Sequence, residues 1–260
     1  MMVLLLLTLL IDSWNKRMYK TLVQFAGVVV LLAMLSGCGL IDYIYLPPPE
    51  DTAQELFEAG NDAMREKNYV SAAGYYTKLR DNFPFSPMAV EAELSLGDCY
   101  YLNEDWGEAV EAYKNFESMH PGHEAVPYVL YHIGMANVNG YPSIDRPTTQ
   151  IEEAYFYFQR LVESYPGTEY ASSSQEKMKL CRKIMAEHEL YYGDFFYRMG
   201  KYGSALIRYQ YIIDNFPDVP EIHEHARVKA SDTFVRERET GSEATREKRE
   251  GSWKEYFNWL

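Results

Sequence analysis

The sequence predicts an all-α fold, a right-handed solenoid of about five stacked helical hairpins, and three observations predict it. Small-residue landmarks recur: Gly60, Ala72 and Pro84 are followed 37 residues later by Gly97, Ala109 and Pro121. Gly193, Ala205 and Pro217 repeat the internal spacings of 12 and 12, and Gly134, Ala154 and Pro166 repeat them with eight extra residues between glycine and alanine. An aromatic stands four residues after each alanine: Tyr76, Tyr113, Phe158 and Tyr209.

Helix pairing explains the residue types. Glycine in the first helix and alanine in the second let two backbones approach closely, and the aromatic fills the space that remains. Proline ends the second helix, because it lacks an N–H and disfavours helix at the residue before it. Short turns such as Glu66-Lys67-Asn68-Tyr69 and Met199-Gly200-Lys201-Tyr202 join the two helices. The pattern resembles the tetratricopeptide repeat, here at 37 residues where the common repeat has about 34.

The first element is a targeting segment, residues 1–37. Lys16, Arg17 and Lys20 precede an apolar run, Leu22–Leu35, that is too short for a comfortable membrane span of about 20 residues. The run ends in Leu35-Ser36-Gly37-Cys38, which resembles the lipobox of bacterial lipoproteins. A thiol is needed there to accept a diacylglyceryl group, and small residues at 36 and 37 let a peptidase grip the backbone. Cys38 is therefore the expected lipidation site, and Met18 is an alternative start. Gly39, by resemblance to lipoprotein sorting rules, favours the outer membrane. Residues 38–50, with Leu46-Pro47-Pro48-Pro49-Glu50, read as a lipidated N-terminus and a stiff spacer.

The repeat array is expected over residues 51–240. Its third unit carries an inserted loop, Asn139 to Thr149, rich in turn residues. Thr148 or Thr149 is expected to cap the helix carrying Glu152 and Glu153, and an Asp145–Arg146 contact to brace the loop. Tyr170 to Arg198 contains no proline and only Gly193, so one long helix is expected there. A further helix, about Glu221–Glu239, begins a fifth unit. Residues 241–260 read as a C-terminal helical tail bearing Trp253, Tyr256, Phe257 and Trp259.

Composition excludes several classes. The formal charge is −13, and loss of residues 1–37 would make it −15, which disfavours nucleic-acid binding. Cys99 and Cys181 are expected as free, buried thiols. His223-Glu224-His225 alternates around a helix and chelates poorly, and Glu187-His188-Glu189 lacks the second histidine of a zinc protease motif. No glycine-rich phosphate loop, nucleophile elbow or Cys-x-x-Cys pair appears. The reading is a binding protein with no catalytic, metal or cofactor site.

Residues three or four apart share a helix face. On the first helices that face presents Phe57, Asn61 and Met64, then Leu94, Asp98 and Tyr101, then Tyr128, Tyr131 and Met135. A groove rich in tyrosine and methionine suits adaptable peptide binding; the same rings are equally consistent with core between repeats.

Specific stretches resemble the BamD family of outer-membrane assembly lipoproteins, from the lipobox to about residue 240. They include Tyr75-Tyr76-Thr77-Lys78-Leu79 with Pro84-Phe85-Ser86-Pro87, Asp145 to Thr149, and Phe158-Gln159-Arg160-Leu161-Val162 with Tyr165-Pro166. Ala186-Glu187-His188-Glu189-Leu190 and Tyr202 to Arg208 with Asn215-Phe216-Pro217 complete the set. The resemblance implies a periplasmic scaffold whose N-terminal half binds unfolded outer-membrane proteins and whose C-terminal half docks on the periplasmic domain of BamA, with other assembly-machine lipoproteins as further partners. It also implies that Arg208 pairs with an acidic residue of BamA. The rival reading is another periplasmic tetratricopeptide lipoprotein that scaffolds cell-envelope or peptidoglycan enzymes.

Overall fold

The structure of the protein is a computed structural model that describes residues 24–26, 28 and 51–250, with side chains through residue 241. The chain divides into two units between Thr52 and Ala53. Cys38 and the spacer lie outside the described residues, as does most of the leader. Within the described residues of the second unit, nine helices follow one another: α1 (Ala53–Arg65), α2 (Tyr69–Asn82), α3 (Ala89–Leu102), α4 (Trp106–Met119), α5 (Val126–Asn139), α6 (Thr149–Ser164), α7 (Glu169–Arg198), α8 (Tyr202–Asn215) and α9 (Pro220–Glu250). They make four hairpins, and α9 opens a fifth. Each helix packs chiefly on its neighbours in sequence, with added contact of α5 on α7 and of α7 on α9. This is the connectivity of a helical-repeat solenoid, as the spacing predicts.

The landmarks pack as their sizes demand. Gly60, Gly97, Gly134 and Gly193 are buried under the rings of Tyr76, Tyr113, Phe158 and Tyr209, and a Cβ on any of them would lie 2.5–2.7 Å from a ring atom. Ala72, Ala109, Ala154 and Ala205 are wholly buried. Covering a ring the size of Phe158 contributes about 1.5–3 kcal/mol, which is large against the marginal stability of one hairpin.

A hydrogen bond adds direction to three of these contacts. The Tyr76 hydroxyl donates to Asn61 Oδ1 at 2.7 Å, Tyr113 to Asp98 Oδ1 at 2.6 Å, and Tyr209 to Asp194 Oδ1 at 2.6 Å. Each acceptor immediately follows the landmark glycine. In the third hairpin that place belongs to Met135, and the ring is Phe158, which has no hydroxyl to satisfy.

The helix ends repeat too. Phe83, His120, Tyr165 and Phe216 leave helical geometry just before the prolines, and each cap N–H donates to the carbonyl four residues earlier. Three hairpin turns place one residue in the left-handed region: Lys67 (φ 59°), Glu104 (φ 63°) and Gly200 (φ 70°). These lie seven residues after their landmark glycines.

Several details depart from expectation. Thr148 caps α6, but its hydroxyl donates to Glu152 Oε1 at 2.7 Å and accepts no backbone N–H. The Asp145 carboxylate takes the Ser143 hydroxyl, and no Asp145–Arg146 ion pair forms among the described residues. The loop is braced by α7 instead: His188 Nδ1 donates to the Ile144 carbonyl at 2.7 Å and Tyr192 Oη to the Asp145 carbonyl at 3.1 Å. Helix α9 runs on to Glu250, beyond the expected end near Glu239, so no break separates residues 241–250 from the array. The aromatic residues of the tail, 253–259, lie outside the described residues. Cys99 and Cys181 are free and buried.

Candidate binding surfaces

The first helices bring eight of the nine expected groove residues into two kinds of setting. On α1, Phe57 packs against Tyr76 with ring centroids 6.1 Å apart, and Asn61 is the acceptor for the same tyrosine. Met64 Sδ takes the Cys99 thiol at 3.3 Å, which ties the first hairpin to the second. These three are half-buried and mostly engaged in the packing between helices.

On α3 and α5 the arrangement is different. Tyr101, Tyr128 and Tyr131 surround the ring of His132 at centroid distances of 4.7, 4.1 and 5.6 Å. Tyr170, from the start of α7, adds an edge 5.8 Å from Tyr128 and 5.6 Å from Tyr131. Asp98 anchors the cluster, since Tyr113 and Tyr128 both donate to its Oδ1 at 2.6 Å. Tyr101 lies edge-on to Trp106 at 5.2 Å and accepts from Asn139 Nδ2 at 3.3 Å. Leu94 packs against the same cluster, whereas Met135 joins the core between the third and fourth hairpins.

The electrostatics fix the protonation states. Burial and the Asp98 carboxylate push Tyr113 and Tyr128 well above the ordinary tyrosine range, so both remain donors at neutral pH. Burial lowers His132, which stays neutral, and its Nδ1 is buried without a hydrogen-bond partner among the described residues. The product is a half-exposed patch of aromatic faces edged by hydroxyls. It can hold apolar and aromatic side chains while offering polar contacts to a backbone. His132 is absent from the expected set; its place three residues before Met135 and four after Tyr128 put it on that helix face.

Arg208 lies on α8, half-exposed, and donates to Glu189 Oε2 of α7 at 2.8 Å. Its guanidinium stands 5.9 Å from the Tyr192 ring centroid. The outward placement agrees with its position three residues after the buried Ala205. The intramolecular partner was not legible in the spacing. It fixes the guanidinium against α7 and leaves further N–H donors for a second carboxylate. The described residues contain no group of three or more potential ligands placed to hold a metal ion. No described helix is long and apolar enough to cross a membrane.

Fold and surface together define a helical-repeat protein with an aromatic patch on its first helices. The comparisons narrow the class. A family profile described as YfiO, outer membrane lipoprotein, matches residues 49–248. The chain belongs to this family. A relative in Vibrio cholerae named outer membrane protein assembly factor BamD is 24% identical over 205 residues, covering 75% of this chain and 84% of that one. A relative of the same name in Neisseria meningitidis serogroup A is 26% identical over 203 residues, covering 73% and 76%. Among solved structures, a tetratricopeptide repeat protein from Parabacteroides merdae aligns at a TM-score of 0.39 and 15% identity, covering 77% of this chain and 80% of that one.

Proposed function

We propose that this chain is an assembly factor for outer-membrane β-barrel proteins, held at the periplasmic face of the outer membrane by a lipid on Cys38. It acts by binding and catalyses no reaction. The aromatic patch on α3 and α5 holds a segment of an unfolded barrel protein. Arg208 docks the C-terminal hairpins on the periplasmic domain of BamA, and other lipoproteins of the machine are further partners. The single observation that carries this reading is the gathering of Tyr101, Tyr128 and Tyr131 around His132 on adjacent first helices. Half-exposed rings on rigid supports suit segments of varied sequence, because stacking tolerates many side chains. Family membership supports the outer-membrane setting.

Titration of the purified chain with the BamA periplasmic domain tests the docking half. Truncating one member of a desolvated ion pair costs about 2–5 kcal/mol of binding, so Arg208→Ala is expected to weaken capture strongly while the helical spectrum is unchanged. Arg208→Glu is expected to do worse. If both variants bind as the native chain does, Arg208 serves only Glu189 and the docking assignment fails. The substrate half is tested in parallel with an unfolded barrel protein, where Tyr128→Ala is expected to weaken binding and Arg208→Ala is not.

A further inference from the structure

Helix α7 has 30 residues, about twice the length of its neighbours, and α6 covers only part of it. Ile151, Ala154 and Phe158 of α6 pack with Met178, Cys181, Ile184 and Met185 of α7. The next turns of α7 run past α6 to the inserted loop, where His188 and Tyr192 hold the Ile144 and Asp145 carbonyls. In the first helices of the second and third hairpins the same place is covered. Cys99 of α3 and Ala136 of α5 stand two residues after their landmark glycines, and both are 0% exposed, packed toward the preceding hairpin. The equivalent residue of α7 is Phe195, and it is 41% exposed.

Residue size reverses along with burial. Two small residues fill the covered positions, and a large ring stands at the uncovered one. Tyr191 and Met199, four residues to either side, are 38% and 58% exposed, so the three make one apolar stripe along the last turns of α7. Ile144, whose carbonyl is held by His188 one turn before Tyr191, is also 37% exposed. The stripe ends beside Arg198 and Lys201, and neither is in an ion pair among the described residues. Most of the protein's surface charge is of the opposite sign: the chain carries 38 acidic against 25 basic residues.

We propose that this stripe is the docking site for an amphipathic helix of a partner protein with an acidic flank. The occupant takes the place that a second helix fills against α3 and α5, which argues for a helix over an extended strand. The spacing of four residues matches anchors one turn apart on such a helix. Arg198 and Lys201 select the sign of its flank. This site is separate from Arg208, which faces Glu189, and from the aromatic patch on α3 and α5.

The test uses the mature lipoprotein in lipid nanodiscs and three labelled helical peptides of about 16 residues, roughly four turns. One carries leucines at every fourth position with glutamates beside them, one has lysines in place of the glutamates, and one has the glutamates with the leucines scrambled. Fluorescence anisotropy is expected to show the acidic amphipathic peptide binding at least about tenfold more tightly than either control. Phe195→Ser and Met199→Ser are expected to abolish that preference, with circular dichroism unchanged because both side chains are exposed. Arg198→Glu is expected to remove the distinction between glutamate and lysine peptides, and Arg208→Ala to leave it intact. Equal binding of the three peptides, or no effect of Phe195→Ser, overturns the proposal. So does light scattering that shows a dimer of this chain lost in Phe195→Ser, since the occupant is then a second copy.

Discussion

Met135 and Phe158 occupy, in the third hairpin, the places that Asp98 and Tyr113 hold in the second, where hydroxyl and carboxylate meet at 2.6 Å. Both polar groups are gone from the third hairpin together. A hydroxyl buried without a partner costs about 1–3 kcal/mol, so a tyrosine opposite methionine would be a defect.

That pairing sets a double-mutant test. Phe158→Tyr alone is expected to destabilise the chain by about 1–3 kcal/mol, because the new hydroxyl points at a thioether. Combined with Met135→Asp it is expected to recover much of the loss, which gives a favourable coupling energy in a urea-denaturation cycle. A double variant no more stable than the sum of the singles would show that the two positions are independent.

Close approach at the landmarks gives a second expectation. Gly97→Ala would set a Cβ 2.6 Å from the buried Tyr113 ring, and Ala109→Leu would force a larger side chain into a wholly buried site. Each is expected to lower stability by about 1–3 kcal/mol through overpacking, even though alanine favours a helix more than glycine does. Thermal melts followed at 222 nm would read the loss; an unmoved midpoint would put the helix interface elsewhere.

The hairpin turns predict a gain. Lys67 and Glu104 hold left-handed backbone that Gly200 holds without a Cβ penalty. The penalty is about 1–2 kcal/mol, and glycine's extra freedom in the unfolded chain offsets about half of it. Lys67→Gly and Glu104→Gly are therefore each expected to stabilise by about 0.5–1 kcal/mol, whereas Gly200→Ala is expected to destabilise.

Stability is expected to fall on both sides of neutrality. Burial pushes the Cys99 and Cys181 thiols up to about 12 and the Tyr76 hydroxyl to about 12, with Tyr209 also raised by burial and Asp194. These groups keep their protons in the folded chain while the unfolded chain loses them from about 9 for thiols and 10 for tyrosines. The folded state then binds more protons, so stability is full below pH 9 and declines as pH rises toward 12. His132 gives the acid limb. Burial lowers it from 6.5, so the unfolded chain takes up a proton first and stability falls as pH drops below 6.5. Urea midpoints across the pH range should show the alkaline limb, and His132→Phe should flatten the acid one.

Much of this was legible in the sequence because the hairpin contacts are local and repeat. The 12 and 12 spacing located three helix pairs, and the inserted loop emerged in the other, where glycine and alanine drifted apart. Asn61 and Asp98 share a helix face with groove residues, and that face alone does not reveal the tyrosine 15 residues on that each one binds. The signal was present: an acceptor follows three landmark glycines, and a tyrosine follows each of those glycines by 16. Glu189 pairs with Arg208 across the fourth hairpin, 19 residues away, at a place no landmark marks, and α7 as the brace of the inserted loop depends on how the fourth hairpin sits on the third. No local spacing encodes that. The extension of α9 past Glu239 was hidden by polar residues and Gly241, which mark a helix end as readily as an exposed helix.

Neighbour-only packing also shapes how the molecule comes apart. Because α1 to α4 draw their buried surface from residues close in sequence, the stability of one hairpin is set by itself and the unit beside it. Injury to the last helices need not spread to the first. The protein is built less like a single keystone arch than like a row of books, in which the end volumes lean and slip while the middle stands. Hydrogen exchange would register this as protection that is graded along the chain, highest in the interior hairpins and lowest at α1 and α9. An assembly factor of this construction can let its end units yield to a partner while the central aromatic patch keeps its shape.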